Sequence, residues 1–239
     1  MAIFKHVESG KRFLFVHIPR TAGRFVEQNL EAQGWVWEKI DENIELTRRN
    51  DPSKVRMYDS VDGIEIAHFH KEYYEKYLDV EDIPHVSIIR NPIDRFISSS
   101  IWLTRCYGDD IQEQMEDSML FSSLLYNFPF PESVNWYRPQ VDFMTEETHI
   151  WKFEDGLGDQ FVSWLSGIID VDLKFDENVE YITDPDEHIK LELTEKLLHN
   201  LVRFYKQDLD AFYPNHEYTK LAASLQEGAE AQTQTASAA

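Results

Sequence analysis

The chain has one cysteine, Cys106, so no internal disulfide can form, which fits a reducing compartment. It has no apolar run approaching the roughly 20 residues of a membrane span. The first such run, FLFV at 13–16, is cut short by His17, Pro19 and Arg20, and no charged-then-apolar signal pattern precedes it. These absences predict a soluble, cytoplasmic protein. Positive charge is also scarce: 23 Lys and Arg stand against 44 Asp and Glu, a net charge of −21. Long-range repulsion of that size argues against nucleic acid, anionic membranes and polyanionic acceptors as partners. No G-x-x-x-x-G-K-[ST] occurs, so the lysine and magnesium ligand of an ATP-binding loop are missing. No internal repeat is evident.

What is present is apolar material for a substantial core: 42% of the 239 residues are hydrophobic and 13% aromatic. The reading is one domain over 1–221, followed by a disordered low-complexity tail over 222–239. The tail has one Leu, no aromatic residue and no apolar face to offset the entropy of ordering. Within the body, 12–18 reads as a buried strand and 24–33 as a helix with Phe25, Val26 and Leu30 inward and Gly34 as its stop. A second such unit runs from a strand at 85–89 into a helix with Asn91 as N-cap, Pro92 first and Asp94 in the first turn. A third strand is expected at 149–153, leading to an amphipathic segment with Phe161, Trp164, Leu165 and Ile168. A long carboxyl-terminal helix over 186–212 should be closed by Tyr213-Pro214. Strands alternating with helices predict an α/β fold, with a central parallel sheet flanked by helices and ligands bound at the strands' carboxyl ends.

Two loops lie at such ends. In FLFVHIPRTAGRF, Thr21, Ala22 and Gly23 let backbone N–H groups approach an anion while the next helix points its positive end at the same place. Arg20 and Arg24 add guanidinium charge, which suits phosphate or sulfate oxygens. In SIIRNPIDRFISSS, Arg90 ends the strand, and Asn91, Arg95 and Ser98 fall at i, i+4 and i+7 along one helix face. Arg90 and Ser98 together suit a second phosphate. Arg20, Arg24, Arg90 and Arg95 form a local exception to the acidic surface. A plain tight turn and a plain well-capped helix are the structural alternatives.

These segments resemble the 5′-phosphosulfate loop (H-I-P-K-T-A-G-T/S) and the 3′-phosphate motif (R-x-P-x-x-R-x-x-S) of sulfotransferases that use 3′-phosphoadenosine 5′-phosphosulfate (PAPS). The resemblance is closest to the carbohydrate branch that includes heparan sulfate 2-O-sulfotransferases. Weaker similarity continues through Arg138-Pro139-Gln140, residues 151–155 and residues 205–209. It implies a P-loop-NTPase-like three-layer fold and a donor site of Arg20, Thr21, Ala22, Gly23, Arg24 and Phe25, with Arg90 and Ser98 on the 3′-phosphate. PAPS would be the co-substrate and PAP the product, with no metal required. The family's loop lysine is Arg20 here, which keeps the charge but cannot donate a proton. Arg24 stands where a hydroxyl residue is usual, favouring donor binding at the expense of product release.

Sulfuryl transfer to a hydroxyl needs a base on the acceptor and positive charge at the bridging oxygen, a role that suits Arg20. The segment GIEIAHFH at 63–70 alternates like a strand, which would put Ile64, Ile66, His68 and His70 on one face. The same pattern resembles the H-x-H of the glycan branch, implying His70 as general base with His68 assisting. A structural pair and a metal-ligand pair are the competing readings of the same spacing. His17 is read as a positioning residue in the loop. Trp102, Tyr107, Trp136 and Tyr137 are core by default but can line an acceptor pocket. The expected activity is sulfuryl transfer from PAPS to a hydroxyl of a sugar or small metabolite. The rivals are a non-catalytic PAPS- or PAP-binding module and a nucleotide-dependent phosphotransferase.

Overall fold

The apolar run at 13–16 becomes the middle of a five-stranded sheet. β1 (Ala2–His6) and β2 (Arg12–Val16) form a hairpin whose turn uses Gly10 at φ 72°, a left-handed conformation that glycine adopts without steric cost. β3 (Trp35–Trp37) adds to β1, while β6 (His85–Ile89) and β7 (His149–Lys152) add in parallel beyond β2, giving the order β3-β1-β2-β6-β7. β1 alone runs against the others, being antiparallel to both neighbours, so the sheet is mostly rather than wholly parallel.

The computed structural model describes residues 2–38, 46, 58–107, 135–176 and 191–237. The chain divides into two compact units, Met1–Arg90 with Phe128–Pro185 and Asn91–Asn127 with Asp186–Ala239. In the first unit, helices α1 (Gly23–Glu31) and α4 (Asp159–Ile169) flank the sheet. Phe25, Val26 and Leu30 of α1 and Phe161, Leu165 and Ile169 of α4 pack in one core with Phe4, Phe13, Phe15, Val86 and Ile88. Burial of such side chains contributes roughly 2 kcal/mol each, and it locks α1 to the carboxyl end of β2. Leu14, Val16 and Ile89 are also fully buried, so the central strands are apolar on both faces.

Residues 63–70 do not form one strand. β4 (Ser60–Val61) and β5 (Ile64–Glu65) make a small hairpin around Asp62 and Gly63, both at positive φ. A 3-10 turn, Ile66–His68, follows, and His70 sits at the N-cap position of α2 (Lys71–Tyr77). The apparent alternation misleads because residues 66–70 are all buried, as in a packed turn and not a half-exposed strand.

In the second unit, α3 (Pro92–Tyr107) starts as expected: the Asn91 side chain accepts from the Ile93 N–H at 3.0 Å. The long carboxyl-terminal helix is instead two, α5 (Glu195–Phe204) and α6 (Lys206–Phe212). Thr194 caps the first, and the chain breaks at Tyr205, whose ring packs on Phe96. Residues 186–190 of that expected helix lie outside the described residues. The expected disordered tail lies largely within a helix, α7 (Glu217–Ser237), where Ala222 is buried. High helix propensity of Ala, Glu and Gln accounts for helix without an apolar stripe.

Candidate active site

β2 and β6 are neighbouring parallel strands, so the loops that leave their carboxyl ends emerge side by side. The first loop is bent by two left-handed residues, Arg20 at φ 67° and Ala22 at φ 68°. That conformation costs a non-glycine residue about 1–2 kcal/mol, so packing must hold it. Thr21, fully buried between them, donates from Oγ1 to the Ile18 carbonyl at 2.9 Å. Left-handed residues in a tight turn gather N–H groups into an anion-binding concavity. Ala22 is the N-cap of α1 and offers no side-chain cap, which leaves the helix's amino end available to an anion.

Gly23 opens α1, and His17 explains the glycine: a Cβ there would lie 2.0 Å from both Cδ2 and Nε2 of the imidazole. The other side of that ring is held from α1, because His17 Nδ1 pairs with Glu27 Oε1 at 2.8 Å, both side chains being buried. Tyr58 donates its hydroxyl to Glu27 Oε2 at 2.9 Å. Burial alone would raise the Glu27 pKa, yet His17 and the two hydrogen bonds bring it below the ordinary value, so Glu27 is ionised. Sequence reading missed Glu27, although a signal existed. Gly23, Val26, Glu27 and Leu30 form the helix's inner i, i+3, i+4, i+7 face, and a carboxylate at a core position needs a partner.

His68 continues the cluster. Its ring meets that of His17 edge-on at 4.8 Å and that of Trp136 at 5.5 Å. Asn135 donates to the His68 carbonyl, and Glu65 Oε2 lies 3.1 Å from His68 Nδ1 without hydrogen-bond alignment. Burial, then the neighbouring His17, pushes the His68 pKa well down, so its imidazole is neutral. His70 is also buried and contacts Tyr73 at 4.8 Å; its carbonyl accepts from the Tyr73 and Tyr74 N–H groups, while its imidazole makes no hydrogen bond among the described residues. Its pKa is lowered to about 4 by burial and then by the Arg138 guanidinium. Thus both imidazoles are neutral at neutral pH and one touches the loop histidine, but no shared strand face joins them.

Arg90 ends β6. Its guanidinium stacks over the Phe153 ring at 4.8 Å and donates from Nη1 to the Arg20 carbonyl at 3.4 Å, tying the second loop to the first. Its backbone is clamped by a side chain: Arg90 N–H donates to Gln140 Oε1 at 3.0 Å, and Gln140 Nε2 donates back to the Arg90 carbonyl at 2.8 Å. Gln140, fully buried, stands in for a strand partner where the sheet ends. The substitution Gln140→Leu, similar in size, will remove both of these buried hydrogen bonds, destabilising the protein by about 2–4 kcal/mol in urea unfolding.

The other predicted site residues are placed as follows. The side chain of Phe25 is in the core, 5.8 Å from Phe175. Arg24 is exposed on α1. Ser98 is half-buried on α3. Arg95, counted with the cationic cluster, is fully buried with its guanidinium over Tyr205 at 5.7 Å, which gives it a structural role. The Tyr107 side chain lies outside the described residues. Among the described residues no cluster of His, Cys, Asp or Glu has the makings of a metal site, and no helix is long and apolar enough to cross a membrane.

Residues 6–154 match the model of the sulfotransferase family. That span contains both loops, Glu27, the His68–His70 turn and Gln140. No curated protein and no solved structure matches the chain.

Proposed function

The chain belongs to the sulfotransferase family, and from that premise we propose that it moves a sulfuryl group from PAPS to a hydroxyl of a sugar or small metabolite. The observation that carries the reading is the loop at 17–23, where two left-handed residues and an uncapped helix end form an anion cradle beside a buried histidine cluster. In this reading the 5′-phosphosulfate sits on the N–H groups of the loop, with Arg20 stabilising charge at the bridging oxygen. Arg90 binds the 3′-phosphate, and Ser98 joins it on the strength of the motif alone. His70, its imidazole neutral and making no hydrogen bond among the described residues, takes the acceptor proton as the acceptor oxygen attacks sulfur in line and PAP leaves. The carbohydrate branch, with heparan sulfate 2-O-sulfotransferases, is the nearest guide to the acceptor. The net charge of −21 favours a neutral sugar or small alcohol over a sulfated polymer.

Calorimetric titration with PAP tests the donor site. We expect micromolar or tighter binding to the wild type and at least tenfold weaker binding, about 1.4 kcal/mol, to Arg90→Ala. Absence of PAP binding to the folded wild type would overturn the reading. Arg20 in place of lysine favours one alternative, a donor-binding protein without turnover. Sulfated product from any alcohol on an acceptor panel would exclude it.

A further inference from the structure

One polar group in the cradle is left unused by this reading. His17 is only 4% exposed, its Nδ1 is committed to Glu27, and its Nε2 makes no hydrogen bond among the described residues. That nitrogen is not remote from the anion site. The Nε2–Cδ2 side of the ring lies against Gly23, the first residue of α1, next to the left-handed residues Arg20 and Ala22 of the loop. The buried imidazole therefore bridges an ionised carboxylate and the helix end proposed to receive the donor's phosphate.

We propose that His17 is a proton-linked donor-binding residue, whose protonated Nε2 donates a hydrogen bond to the 5′-phosphate group of the bound nucleotide. The proposal rests on the PAPS reading above. A neutral imidazole with its proton held on Nδ1 by Glu27 would present a lone pair at Nε2, which repels an anion. A protonated ring presents a charge-assisted donor instead, and Glu27 balances its charge. An anion on one side and Glu27 on the other thus favour the imidazolium, so binding draws a proton onto Nε2. The remaining groups around the ring do not supply this proton link. Tyr58 donates to Glu27, its own pKa being raised. His68 meets the ring edge-on, with Glu65 beyond it, and the guanidinium groups of Arg20 in the loop and Arg24 on α1 stay charged throughout the working range. The inference also addresses the departure at Arg20: the protonatable group that the loop lost with lysine is provided three residues earlier.

The test is PAP titration calorimetry near pH 8, where the nucleotide phosphates are fully ionised, in buffers of differing ionisation enthalpy. For the wild type the binding enthalpy should vary with buffer, reporting uptake of about half a proton or more. His17→Gln, checked for folding by circular dichroism, should bind PAP about tenfold or more weakly with the uptake abolished. Glu27→Gln keeps the imidazole but removes its counter-charge, and uptake should fall there too. Wild-type binding without uptake, or uptake unchanged in His17→Gln, would overturn the inference while leaving the donor reading intact. Should His17→Gln not fold, unchanged uptake in Glu27→Gln would overturn it equally. Failure of the wild type to bind PAP at all would instead remove the donor reading and this inference together.

Discussion

Gly23→Ala will destabilise the protein by about 3 kcal/mol and abolish PAP binding. A single methyl group has this effect because of where it would point. The added Cβ would meet Cδ2 and Nε2 of His17 at 2.0 Å and Cε1 at 2.6 Å, well inside van der Waals contact. The ring cannot swing aside cheaply. Nδ1 is anchored to Glu27, which is held in turn by Tyr58, and the faces and edges of the ring meet Phe15 and His68. Relief must come from the backbone of the loop, which is already at positive φ at Arg20 and Ala22. The cradle would open and its N–H groups diverge. A double-mutant cycle identifies the cause. His17→Ala removes the obstacle, so Gly23→Ala should cost at least 1 kcal/mol less in that background than in the wild type. Equal costs in the two backgrounds, read from urea unfolding, would show that the glycine serves something other than the imidazole.

The two strand-loop-helix units were legible because each combines local signals that agree: a short apolar run, a loop of small and cationic residues, and an inward helix face or an Asn-Pro start. β2, α1, β6, α3 and β7 accordingly lie close to where periodicity and capping put them. Residues 63–70 show the limit of that reasoning. Every second residue is apolar or His, but the intervening Ala67 and Phe69 are buried as well, and a hairpin turn at Asp62–Gly63 ends the ladder after Glu65. Period two in so short a stretch does not separate a half-exposed strand from a packed turn. The break at Tyr205 was hidden for a related reason, since one aromatic residue packed on Phe96 leaves no Gly or Pro to mark it. Side-chain pairings across long sequence separations were out of reach. Nothing local tells that Gln140 grips the backbone of Arg90, 50 residues away. The Arg138-Pro139-Gln140 similarity flagged the segment but not its contact. Glu27 was within reach, because an acid on an otherwise apolar helix face asks for a partner, and His17 was the nearest histidine before the helix.

His70→Ala should lower kcat by about 10²- to 10⁴-fold while changing PAP affinity less than threefold. On the proposed reading the general base acts on the acceptor proton in the transition state, whereas the loop and Arg90 hold the donor, so binding and turnover should separate. The pH profile makes the assignment more specific. An unperturbed histidine would impose an acid limb near 6.5, but burial and the Arg138 cation lower the His70 pKa to about 4. A lowered pKa means that the neutral, proton-accepting form persists as pH falls from neutrality and is lost only as pH passes through about 4. On this assignment kcat/KM, which reports the free enzyme, keeps its His70-dependent activity down to that range. In Arg138→Gln one of the two causes is removed, so the limb should move up toward 6.5. With the anionic donor bound, negative charge in the site favours the imidazolium, and the limb in kcat should lie above that in kcat/KM. His68→Asn is the discriminating control. His68 touches His17 and the loop, and its loss should weaken PAP binding as well as turnover. If His68→Asn instead removed turnover with donor affinity intact, while His70→Ala left kcat nearly unchanged, the base would be the histidine that packs on the loop.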